Sequence, residues 1–155
     1  MIKIACKVST SSIKSDIIII KKVKRDVQFI GKLDREKFKA ITDDITTDEV
    51  ILTSKQVVHI KERHPNDYEE YFGYFKEIVE NPDYIIRDKQ PNTTFILKEI
   101  VEKDKRFQLI LRLHTSEDNE EYKNSIITFF KISENKYKQY LRNKEILWKR
   151  LDKNE

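Results

Sequence analysis

Cysteine occurs once in the 155 residues, at Cys6. A lone thiol excludes an internal disulfide and any zinc site built on cysteines. Glycine is nearly as scarce, with only Gly31 and Gly73. The phosphate-cradling loops of P-loop and dinucleotide-binding proteins need several glycines close together, so neither kind of nucleotide site is available. No apolar run approaches the roughly 18 residues of a membrane span. The Ile17–Ile20 run is too short for the hydrophobic region of a secretory signal. A reducing, cytoplasmic home with no membrane contact is the resulting expectation.

Charge, by contrast, is plentiful. Charged residues make up 37% of the chain and apolar ones 38%, so the surface is heavily charged around a core of ordinary size. The net charge of +4 and a pI near 9.0 favour a polyanionic partner only weakly. The length suits one compact domain, read as residues 27–155, preceded by a strand-rich N-terminal extension, residues 1–26. In that extension Met1–Val8 alternates weakly and Asp16–Val23 reads as a buried strand. Lys21, Lys22, Lys24 and Arg25 after it read as a solvated strand end rather than a phosphate-binding patch.

Along the rest of the chain, Val27–Ile30 and Glu49–Leu52 are predicted strands, and Asp34 caps a short helix through Ile41. The acidic loop Asp43–Asp48 lacks the spacing of a calcium loop and reads as solvated. A helix is predicted over Tyr68–Glu80, with Tyr71, Phe72, Tyr74 and Phe75 as core aromatics and base stacking as the alternative. From Tyr84 the apolar period becomes two. Strands are predicted at Tyr84–Arg87, Thr93–Glu102, Phe107–Thr115 and Ser125–Ile132, with Lys103–Arg106 as a hairpin turn. A short helix over Asn135–Asn143 and an edge strand at Ile146–Trp148 close the chain. The fold class is α+β, with helices packed on one face of an antiparallel, meandering sheet.

Two stretches carry chemistry. The first is Thr53–Pro65, a helix with clear ends. Thr53 is a favoured N-cap with Gln56 three residues on, and Pro65 stops the helix at His64. Val57, Ile60 and His64 share one face, and Gln56, His59 and Arg63 form the flank beside it. An imidazole and a guanidinium thus stand together at the edge of a buried stripe. Histidine titrates near neutrality and suits proton transfer. His59 and His64 are five residues apart, poorly placed to share a metal. His64 is either a core histidine or a second catalytic one, and His114, near a strand end, reads as solvated.

The second stretch is the sheet. One set of rows, Phe95, Leu97 and Val101 with Phe107, Leu109, Leu111 and Leu113, should face the helices. The opposite rows place Lys98, Arg112 and Thr128 between apolar neighbours, with Lys98 and Arg112 within about one residue pair of each other. Two cations and a hydroxyl on one sheet face suit a phosphate and its transition-state charge. A solvated face with long side chains lying over isoleucines explains the same pattern.

The ordered set Ile51-Leu52-Thr53, His59-Ile60-Lys61-Glu62-Arg63-His64-Pro65, Asn81-Pro82-Asp83-Tyr84-Ile85, Asn92-Thr93 through Lys98-Glu99, Leu109–Leu113, Ser125–Thr128 and Arg142-Asn143 with Leu147-Trp148 resembles the phage-associated nuclease domains of the barnase–EndoU–colicin–RelE (BECR) superfamily. The likeness runs from Val27 to Arg150. It implies a BECR/RelE-like fold, with a helical N-terminal part followed by the sheet that carries the active site. It also implies RNA cleavage without metal or cofactor, in a phage, mobile-element or toxin setting. His59, Arg63, His64, Lys98, Arg112 and Thr128 become the candidate catalytic residues, with Lys98, Arg112 and Arg142 as substrate contacts. RNA, tRNA included, becomes the expected partner and a cognate inhibitor or antitoxin a second one. The expected activity is an endoribonuclease leaving a 2′,3′-cyclic phosphate. A non-catalytic RNA-binding or assembly module on the same fold is the alternative, and a purely structural phage or mobile-element protein a third reading.

Overall fold

The Thr53 hydroxyl accepts a hydrogen bond from the Gln56 amide at 3.2 Å, and the chain turns there from strand directly into helix. The helix, α1 (Ser54–Arg63), ends before Pro65 with the His64 amide donating to the Ile60 carbonyl. In this computed structural model, which describes residues 26–152, the other helices are α2 (Asp67–Tyr71), α3 (Phe75–Glu80) and α4 (Glu134–Asn143). The strands are β1 (Val27–Lys32), β2 (Glu49–Thr53), β3 (Tyr84–Arg87), β4 (Thr93–Ile100), β5 (Lys105–Arg112), β6 (Asn124–Ile132) and β7 (Ile146–Lys149). The strands expected within residues 1–25 lie outside the described residues.

The helix expected over Tyr68–Glu80 is broken. A single 3₁₀ turn, Phe72–Tyr74, separates α2 from α3. Gly73, the poorest helix former of the stretch, sits at the break, while Tyr71 and Phe75 on either side are buried. The helix expected from Asp34 to Ile41 shrinks to a 3₁₀ turn, Arg35–Phe38. It has one fully buried anchor, Phe38, and no apolar second turn to extend it.

One sheet holds all seven strands in the order β1-β2-β6-β5-β4-β3-β7. β3, β4, β5 and β6 are antiparallel neighbours in chain order, but β2 joins β6 in parallel, so the sheet is mixed. Asn124 makes that junction. Its carboxamide donates to the Thr47 and Glu49 carbonyls at 2.7 and 2.9 Å and accepts from the His114 amide at 2.8 Å. Gly31 of β1 permits the close approach of α3, because a Cβ there would lie 2.9 Å from the Glu80 carboxylate. That carboxylate accepts from the Lys32 amide at 3.0 Å.

The helices do not keep to one face. The first three, with Ile60, Tyr71, Phe75, Ile78 and Val79, cover the side of the sheet that presents Val50, Leu52, Ile96, Phe107, Leu109, Leu111, Ile126 and Phe129. Tyr137, Tyr140 and Leu141 of α4 pack on the other side, against Tyr84, Ile86, Phe95 and Leu97. Both faces of β4 are therefore covered.

The faces of β4 are also exchanged relative to the sequence reading. Val101–Lys103 forms a 3₁₀ turn ended by Asp104 at φ 51°, so Ile100 pairs with Lys105. The turn begins two residues earlier than the alternation suggests. A displacement of two residues leaves the faces unchanged. In either position a four-residue turn sets even-numbered β4 residues beside odd-numbered β5 residues, a pairing that rows split strand by strand do not respect. Ile96, Lys98 and Ile100 consequently lie on the side of α1–α3 with Phe107 and Leu109, and Phe95 and Leu97 lie under α4.

Candidate active site

α4 covers only part of the second face. At the other end of that face lies an open groove of about 610 Å³. Ile51 of β2 and Ser125 and Ile127 of β6 line it with Arg112 of β5, Gln56 of α1 and Tyr122 of the loop between β5 and β6. Ser125 stands directly across from Arg112, and Thr128 across from Ile110. A bulge between those two pairs admits the extra residue Ile127.

Gln56 places the polar flank of α1 along this groove. At about 100° per residue, His59 and Arg63 lie within about 60° of Gln56 around the helix, one and two turns further on. His59 is half-buried and Arg63 exposed. His64 closes the helix and stacks on Phe130 of β6, ring centroids 4.1 Å apart and planes 19° from parallel. Burial lowers the His64 pKa below its usual 6.5. Asp67 opposes this, and His59 and Arg63 add to it as nearby positive charge. The imidazole is accordingly neutral at pH 7.

Arg112 is held rather than free. One guanidinium nitrogen donates to the Asp118 carboxylate at 2.9 Å and the other to the Leu113 carbonyl. The Thr115 amide donates to the same carboxylate at 2.8 Å and the Thr115 hydroxyl at 3.1 Å. These hold the Asp118 carboxyl below its usual 3.8, the Thr115 amide first and Arg112 contributing, against the opposing effect of burial. The Arg112 side chain nonetheless stays 35% exposed, which leaves N–H groups for a ligand. Beyond the bulge, across from Ile110, the Thr128 hydroxyl is buried and has no hydrogen-bond partner.

Lys98 does not join this group. It pairs with Phe107, five residue pairs along the ladder from the Thr93–Arg112 pair, and on the opposite face. It is only 3% exposed. Its ammonium donates to the Asn81 carbonyl at 2.6 Å and lies 3.4 Å from both the Asp83 and Glu77 carboxylates. Asp83, fully buried, also accepts from the Glu99 amide at 2.8 Å and pairs with Arg150 at 2.8 Å. The expected Lys98–Arg112 cluster fails because a four-residue turn pairs Lys98 with an odd-numbered residue of β5, here Phe107, and so puts it on the face opposite Arg112. Arg142 is exposed in the last turn of α4 and does not line the groove. His114, expected to be solvated, is buried, with its ring between the Thr46 hydroxyl and the Asn119 carbonyl. The carbonyl can only accept, so Nε2 carries a proton.

Tyr122, which lines the groove, and Asp118, which clamps Arg112 from the adjoining hollow, had no sequence signal strong enough to single them out. Both fall outside the alternating rows. The local clue for Asp118 was its place in a short polar loop after a strand that ends on arginine. Among the described residues no group of three or more His, Cys, Asp or Glu is placed to hold a metal ion.

No curated protein and no solved structure matches the chain. The family model described as phage-Barnase-EndoU-ColicinE5/D-RelE like nuclease2 matches residues 25–149, a span that contains every strand and helix described above. The chain thus belongs to this phage-associated family of BECR-type nucleases.

Proposed function

We propose that the groove is the active site of a metal-independent endoribonuclease. The observation that carries this reading is the open groove that the clamped Arg112 shares with Ser125 and with Gln56 of α1, the helix whose polar flank continues into His59 and Arg63. RNA brings its own nucleophile, the 2′-hydroxyl, so a base and well-placed cations suffice for transesterification. His59 takes the 2′-hydroxyl proton, the 2′-oxygen forms its bond to phosphorus, and the bond to the 5′-oxygen breaks. The leaving oxygen takes up a proton at the open rim. Arg63 and Arg112 stabilise the charge of the pentavalent phosphorus, and Thr128 donates to a non-bridging oxygen. His64, neutral and stacked, holds the end of α1 against β6. The products are a 2′,3′-cyclic phosphate and a 5′-hydroxyl. Such an activity in a phage or mobile element suits a toxin role, with tRNA among the targets and a cognate inhibitor protecting the cell.

The test is incubation with total RNA and with a tRNA pool in EDTA, beside His59→Ala. Cleavage to cyclic-phosphate ends is expected from the wild type, reduced about 10²–10⁴-fold in the variant, the usual worth of a general base. Salt-sensitive RNA binding without cleavage by either protein would make the domain a binding module instead.

A further inference from the structure

Tyr122 is 63% open to solvent and lines the groove, whereas Phe29, the other exposed aromatic of this face among the described residues, pairs with Ile51 but stands outside the groove lining. Tyr122 borders the groove beside Arg112, Lys123 and Ser125, and it also borders the two smaller hollows that adjoin it on the side of His114 and Asp118. The loop that carries it is firmly tied. Asp118 is bound by Arg112 and Thr115, the Asn119 carbonyl accepts from the His114 ring at 2.8 Å and from the Tyr122 amide at 3.0 Å, and the Asn119 side chain accepts from the Glu121 amide at 2.9 Å. Asn124 fixes the exit of the loop through its bonds to Thr47 and Glu49. A loop this well anchored, ending on an uncovered ring, holds that ring in place before anything covers it.

We infer that Tyr122 is a stacking platform for an unpaired base of the substrate, and that the site takes single-stranded nucleic acid. This rests on the nuclease reading of the groove. An aromatic face beside a cation is what an extruded nucleotide requires: the ring meets the base and the guanidinium meets the adjacent phosphate. The aliphatic floor of Ile51 and Ile127 leaves room for the apolar side of the base. Glu121, a carboxylate on the same rim, repels phosphate and can accept from an N–H on a base edge. Both effects place the base at this end and the phosphate toward Arg112. In a duplex the bases are stacked on each other and have no free face for Tyr122.

The experiment measures binding of a short RNA whose 2′-oxygens are methylated, so that it cannot be cleaved by 2′-hydroxyl attack, with 2-aminopurine at successive positions. Wild type and Tyr122→Phe should bind alike and quench the probe at one position. Tyr122→Ala should bind about 5- to 100-fold more weakly, the range that loss of one base–aromatic stack produces, without the quench. The same sequence as a perfect duplex should bind the wild type less tightly than the single strand. Unchanged affinity in Tyr122→Ala, or equal binding of duplex and single strand, overturns the inference. Because the methylated RNA is only bound, the readout is separate from catalysis. Tyr122-dependent binding, with no cleavage of the unmodified RNA in EDTA, would leave the stacking platform standing and remove the nuclease reading.

Discussion

Lys98 and Arg112 are both cations next to apolar neighbours in adjacent strands, and only Arg112 keeps its side chain substantially exposed. Lys98 is buried on the helix-covered face with a backbone carbonyl and two carboxylates around its ammonium. Arg112 lies at the open end of the other face, fixed by the Asp118 carboxylate and the Leu113 carbonyl, with its side chain 35% exposed. The first arrangement joins β3, β4, α3 and Arg150, the residue after β7, around Asp83, and it leaves little donor capacity unused. The second fixes the direction of a cation and keeps its charge outward, as a site that must meet a phosphate requires. In this chain, then, burial together with the number of partners separates an ionic group that holds the fold from one free to do chemistry.

The sharpest way to break this contrast is to measure stability on both sides of it. Asp83→Ala removes the shared acceptor and leaves the Lys98 ammonium in the interior with less compensation. Its cost should be about 3–5 kcal/mol, as for other broken buried pairs, read as a lowered midpoint in chemical denaturation. Arg112→Ala should shift the same midpoint by no more than about 1 kcal/mol. A destabilisation of equal size in both variants would erase the distinction.

Activity should invert that order. Arg112→Ala should reduce RNA cleavage about 10²–10³-fold, the scale of a lost transition-state donor, and Arg112→Lys should recover little, because an ammonium lacks the planar fork that Asp118 orients. Asp118→Asn should give a smaller loss, since the guanidinium remains but its anchor weakens. Full activity in Arg112→Ala would move the phosphate site elsewhere on the face.

How far the sequence reached follows the same divide. α1 was legible because its ends are chemical: a capping threonine and a terminating proline fix thirteen residues almost without regard to the rest of the chain. The strands were legible as strands from their alternation. Which rows of neighbouring strands share a face was not, because that depends on the number of residues in the turn between them, which alternation within one strand does not signal. The four-residue Val101–Asp104 turn sets even-numbered β4 residues beside odd-numbered β5 residues. That error alone carried Lys98 into the expected site. α4 was found, but its side of the sheet depends on the Tyr137, Tyr140 and Leu141 contacts with β3 and β4 and not on any local signal. The burial of His114 likewise depends on two distant loops, at Thr46 and Asn119, folding over its ring.

The finest test lies at His64, the half-buried residue that ends α1 and stacks on Phe130 of β6. Its burial, with the nearby His59 and Arg63 adding and Asp67 opposing, lowers its folded pKa below 6.5. The unfolded chain therefore binds a proton that the folded one resists as the pH falls below about 6.5. Stability from this residue is complete above that value, declines as the pH drops through the folded pKa, and levels off beneath it. His64→Phe keeps a ring on Phe130 and removes the titration. Denaturation midpoints of the wild type should fall between pH 7 and pH 5 more steeply than those of the variant, by a small margin set by the partly exposed imidazole. Asp118 and Glu80, whose carboxyls are held below their usual 3.8 and 4.5, titrate beneath this window and do not contribute to the difference. Parallel curves for the two proteins would mean that this burial exerts no pull on the proton.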